Sequence, residues 1–222
     1  MASGERTTMR MNLADLMRLA GQEEATSSGS TEPGTIYYLK TATPHLHDVS
    51  VSGPYKDLEA VYAQVWHNFG DECQHGRSML EDLKVNDQPV AFQHIESPIY
   101  GDANKKRRIE LIPKTKPDLA AKLPSPVWNV TKAKIANEAL AAGPTGPNRD
   151  ALPVKDVQII DSFESEASAK QAAQNALRDI TGPGDMSQTV STSPFAAGVI
   201  GRQGLKWVVT VNRDSGTTTQ QQ

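Results

Sequence analysis

All five histidines and the only cysteine of this 222-residue chain lie between positions 45 and 94. Imidazole and thiolate are the side chains best suited to hold a transition metal or to move a proton near neutral pH, so such chemistry is expected in this window. His45 and His47 flank Leu46, and in an extended segment their rings would project to the same side. Asp71, Cys73 and His75 alternate in the same way. His45, His47, Asp71, Cys73 and His75 are therefore the candidate metal ligands, of the types zinc accepts, although their spacing matches no closed structural site. The bland reading is loop histidines in solvent and a small semi-buried thiol.

His94 and His47 are the candidate catalytic bases. Alternation across Val90, Phe92 and His94 places His94 on an apolar strand face, where an imidazole needs a hydrogen-bond partner. A satisfied core histidine fits this setting better than a general base, because no nucleophile or carboxylate pairs with it in the sequence. No P-loop, no Gly-x-Gly-x-x-Gly after a strand and no His-Glu-x-x-His is present, so no cofactor is expected.

Lys105, Lys106, Arg107 and Arg108 form the densest basic run, and a sheet carrying Tyr37, Tyr38 or Tyr100 beside it could stack bases. A net charge of −3 provides no global field for nucleic acid, and a lysine-protected hairpin edge would look the same. Near the N-terminus, Leu13, Leu16 and Met17 share one helical face behind Asn12, a pattern that could dock in a groove of a protein partner.

These residues must be positioned by a repeated unit. Residues 48–69 and 156–177 match without a gap at an offset of 108, pairing Asp48 with Asp156, Val51 with Ile159, Tyr55 with Phe163, Asp57 with Ser165, Val61 with Ala169, Val65 with Ala173 and Phe69 with Leu177. Each copy reads as a short alternating strand, an aromatic residue, a helix N-cap and an amphipathic helix. In the first copy the stripe is Leu58, Val61, Tyr62, Val65, Trp66 and Phe69; in the second it is Ala169, Ala172, Ala173, Ala176, Leu177 and Ile180.

Around these cores the first unit is expected over residues 35–112 and the second over 127–213. Strands are predicted at Thr35–Ala42, Val49–Val51, Val90–Ile95, Lys106–Ile112, Val127–Ile135, Val157–Ile160, Phe195–Ile200 and Leu205–Val211, with a turn at Gly53-Pro54. Ser78 to Glu81 reads as a capping box opening a brief helix. Residues 113–126 form a proline-rich linker with one turn over Asp118–Lys122, and residues 1–34 and 214–222 read as flexible tails. The class is α+β, two tandem β-(β)-α-β-β units with ferredoxin-like packing of helices on antiparallel or mixed sheet.

The Asp-Val-x-(Val/Ile) strand, aromatic, capped helix and terminal hairpin resemble small uncharacterised duplicated α+β proteins of filamentous fungi. The resemblance covers about residues 35–213; it implies the fold and brings no activity.

A single cysteine excludes an internal disulfide and suggests a reducing compartment, cytoplasmic or nuclear. No apolar run approaches the ~20 residues that span a bilayer, so no membrane contact is expected. A non-enzymatic interaction or scaffold protein is the leading reading, with a protein partner or a homo-oligomer as its contact. A small enzyme or ligand-binding protein using the histidine-rich half is the alternative, and nucleic-acid binding a further one.

Overall fold

In a computed structural model of the chain, which describes residues 33–135, 154–181, 187–192, 195–201 and 204–214, the first apolar run forms β1 (Thr35–Thr43). Ile36 and Tyr38 point to one face and Tyr37 and Leu39 to the other, and all four are buried. β1 is therefore covered on both sides. β2 (Asp48–Tyr55) pairs with it antiparallel and is longer than the predicted Val49–Val51. The expected Gly53-Pro54 turn lies inside this strand, where the register slips between Tyr37 and Leu39. Gly53 adopts φ +107°, and a Cβ there would stand 2.7 Å from the Tyr37 carbonyl oxygen, so only glycine fits.

Asp57 caps α1 (Leu58–Val65), its Oδ1 accepting the Ala60 amide at 2.9 Å, and the helix ends in a wider turn over Trp66–Gly70. The buried stripe is Val61, Tyr62, Val65 and Phe69, and the Tyr62 hydroxyl donates to the Leu83 and Val90 carbonyls. α2 (Gly76–Asp82) begins before the expected capping box. Gly76 lets the chain press onto the Phe69 carbonyl, where a Cβ would come within 2.1 Å, and Ser78 Oγ donates to the His75 carbonyl instead of capping. A two-residue hairpin, β3 (Lys84–Val85) and β4 (Gln88–Pro89), leads to β5 (His94–Ile99) and β6 (Asp102–Thr115).

The first sheet has the order β2-β1-β6-β5. Pro113 is tolerated inside β6 because it lies beyond the β5 ladder, which ends at Glu110 with one further bond from the Leu111 amide to the Gln93 carbonyl at 3.0 Å. The proline-rich stretch then forms one turn of helix, α3 (Pro117–Ala120), and buries Leu119 and Leu123.

β7 (Val127–Ile135) and β8 (Val154–Phe163) precede α4 (Glu166–Thr181), where Ser165 Oγ accepts the Ser168 amide at 3.2 Å. β9 (Ser187–Thr192), which the sequence did not suggest, β10 (Phe195–Gly201) and β11 (Gly204–Asp214) complete a second sheet of order β8-β7-β11-β10-β9. Among the described residues every pairing in both sheets is antiparallel, which favours the antiparallel over the mixed-sheet expectation. The ferredoxin comparison extends no further than helices lying on antiparallel sheets.

The protein is thus an α+β fold of several sheets and helices packed together. One core joins Val61, Val65 and Phe69 to Leu39, Ile109 and Leu111; another joins Ala169, Ala173 and Leu177 to Val130, Val209 and Val211. A third forms the seam between the halves, where Ile36 and Tyr38 meet Leu119, Leu123, Val127 and Ile159. No helix among the described residues is long and apolar enough to cross a membrane. The predicted docking face of Leu13, Leu16 and Met17, the 141–148 loop, most of the C-terminal tail and the side chain of Leu205 lie outside the described residues.

Candidate functional site

Residues 71–75 fold as tight turns around one isolated bridge between Cys73 and Ile99, so the alternation expected of an extended segment does not form. Cys73 is fully buried in the first core, and burial pushes its thiol up. Asp71 receives the Arg77 guanidinium at 2.6 and 3.0 Å and faces His67 Nδ1 at 3.7 Å; the hydrogen bond from Arg77 holds its carboxyl below the usual range. His75 precedes α2, its carbonyl accepting from Ser78 and Met79, and His45 sits in the short 3-10 turn Pro44–Leu46, with His47 following it. Among the described residues no group of three or more His, Cys, Asp or Glu is placed to hold a metal ion. His94 is exposed, contrary to the expected apolar face. Residues 90–93 are irregular, so strand alternation restarts at His94, and Ile95 and Ser97 turn inward instead.

Lys105, Lys106 and Arg107 lie on the part of β6 that extends beyond β1, Arg108 pairs with Ala42 at its edge, and each member faces a carboxylate. Lys105 pairs with Asp102 at 3.2 Å, Lys106 and Arg108 share Glu96 at 3.0 and 3.1 Å, and Arg107 engages Glu72 and the Asn68 carbonyl. The hydrogen bond from Lys106, with Arg108 adding to it, keeps the Glu96 carboxyl low. The run is neutralised in place, which weakens its attraction for phosphates.

A different surface forms at the end of α1. Two cations lie over the Trp66 ring, Arg77 at 5.8 Å and Lys84 at 5.6 Å from its centroid. Arg77 is tied to Asp71, and the Tyr100 amide donates to the Glu72 carbonyl at 3.1 Å, which sets Tyr100 against the same loop. Tyr100 is 60% exposed, and Val85, next to Lys84, is 58% exposed. Sequence reading assigned Trp66 only to the core stripe; the signal it missed is that Arg77 and Lys84 follow at positions that bring them over an incompletely buried indole.

The seam is polar around its apolar centre. Tyr38 donates to Ser162 at 2.7 Å, since the Ser162 proton goes to Asn129 Oδ1, and burial pushes the Tyr38 phenol up to about 12. Asn129 Nδ2 donates to the Gly53 carbonyl at 2.6 Å, which commits this asparagine to the seam. Lys40 reaches Asp156 at 2.6 Å, Lys116 reaches Asp161 at 2.6 Å and Lys122 reaches Glu164 at 2.5 Å. Lys114 donates to the Ile160 carbonyl at 2.8 Å, and its burial pulls its pKa down.

Two cavities open along this seam. One, about 410 Å³, lies beside Lys116, Ser162, Ser165 and Ser168. The other, about 360 Å³, lies between the turn after β1 and the start of β8 and is the only one of the two to include a histidine nominated by sequence, His47. Lys155, on the opposite rim, went unnoticed, although the 108-residue offset pairs it with His47.

Burial tends to raise the Asp156 carboxyl, but the hydrogen bond and charge of Lys40 outweigh it and leave the group low. A folded pKa below the unfolded value of ~3.9 means that this pair stabilises the fold above that pH, and that the contribution is lost as pH falls through the folded value. Lys40→Met is expected to reduce the loss of stability on acidification, read as Tm against pH. Identical slopes for both proteins would show that Lys40 does not lower the folded-state pKa of Asp156.

No family model, no curated protein and no solved structure matches the chain.

Proposed function

We propose that this is a non-enzymatic interaction protein built from two copies of a ββαββ unit, with a partner surface at the Trp66 end of the first half. One observation carries the reading: Trp66, Arg77 and Tyr100 gather on one exposed end, and these three residue types dominate the energetics of protein interfaces. The duplication is supported by the order β2-β1-β6-β5 beside β8-β7-β11-β10 and by cap bonds at Asp57–Ala60 and Ser165–Ser168. It is supported too by burial of Val61, Val65 and Phe69 beside that of Ala169, Ala173 and Leu177. The Leu13, Leu16 and Met17 face is a second proposed contact.

Immobilised full-length protein is expected to retain a partner protein from the lysate of its source cells. Tyr100→Ala and Arg77→Ala should each reduce retention by more than tenfold, the scale of a hot-spot residue, with Tm nearly unchanged. Equal retention by all three proteins would remove this surface from the reading. Ligand binding in the first half is the second reading, favoured because His47 lines a cavity.

A further inference from the structure

The approximately 360 Å³ cavity at the seam is of the size that takes a small molecule, and its walls divide by chemistry. Pro44, Val49 and Val154 supply an apolar side. Of the charged groups, Asp156 is held by Lys40 at 2.6 Å, Glu110 stands 3.8 Å from the same ammonium, and Arg108 is held by Glu96. Among the described residues, the basic groups of the lining that enter no ion pair are His47 and Lys155. They stand on opposite sides of one junction, because the Val154 amide donates to the His47 carbonyl at 2.8 Å.

His47 also carries left-handed backbone, φ +49° and ψ +36°, uncommon for a residue other than glycine, though less so for histidine, and held by the surroundings. Here the holding contacts are that cross-half bond and the bond from the His47 amide to the Pro44 carbonyl at 3.2 Å. These two bonds position the rim without a ligand.

We infer that this cavity binds a small organic anion with an apolar body. Its carboxylate lies between Lys155 and His47, and its body rests on Pro44, Val49 and Val154. The pairing of Asp156 and Glu110 with Lys40 is what lets an anion approach two nearby carboxylates. The inference is independent of the partner surface at Trp66.

Amide chemical shifts of the full-length protein, titrated with benzoate, benzamide and inorganic phosphate, test it. Benzoate is expected to give saturable shifts at Ala42, His47, Val154 and Lys155, with benzamide and phosphate each at least tenfold weaker. Lys155→Ala and His47→Asn should each weaken benzoate at least tenfold; asparagine is chosen because it tolerates left-handed backbone and so keeps the fold. Lys170→Ala, on α4, should change nothing. Absence of saturable benzoate shifts, equal binding of benzamide or of phosphate, or benzoate binding unaltered in both rim variants would each overturn the assignment.

Discussion

Phe69→Ala is expected to destabilise the protein by about 3–5 kcal/mol, read from the urea midpoint at constant slope. Phe69 is fully buried where α1 turns toward α2, and it shares its core with Val65, Leu80 and Cys73, none of which can follow a retreating ring without breaking its own contacts. Leu177→Ala, at the matching place in α4, is expected to cost about 2–5 kcal/mol, the usual range for a buried leucine. A cost under ~1 kcal/mol for Phe69→Ala would place the ring outside the folded core, on the scale of surface substitutions.

The core face of α1 was legible because a 3.6-residue stripe and a capping aspartate are local signals, and both are present in the structure. The end of β2 was not, because Gly-Pro marks a turn in isolation and becomes a bulge only when β1 lies alongside. His94 was misread by carrying strand alternation through residues 90–93, whose irregular path the sequence does not announce. The candidate ligands Asp71, Cys73 and His75 have the right types in the right order, but Cys73 completes an apolar core while Asp71 turns out to Arg77. The seam was illegible for another reason: Lys40 and Asp156 are separated by 116 positions, and no local pattern links them.

Gly53→Ala is expected to cost roughly 2–5 kcal/mol, from left-handed backbone strain together with overpacking. The added methyl would meet the Tyr37 carbonyl at 2.7 Å, and both atoms belong to paired strands that cannot part without opening the first sheet. The Gly53 carbonyl also receives Asn129, so the damage should reach the seam. Differential scanning calorimetry is expected to show a lowered Tm; a Tm within a degree of the parent would mean that the bulge relaxes freely.

The four seam lysines have a consequence for assembly. Lys40, Lys114, Lys116 and Lys122 all precede β7, and apart from the longer 3.8 Å contact of Lys40 with Glu110 their acceptors lie on β8 or directly after it. Two first halves brought together through this surface would set ammonium against ammonium with Glu110, already beside Lys40, as the one first-half carboxylate in contact with these lysines, a mismatch of several kcal/mol. A first half exchanged between two chains would instead find its proper mate. Oligomers closing through this surface therefore favour reciprocal exchange, two chains each lending a first half to the other, and charge disfavours stacking of like halves.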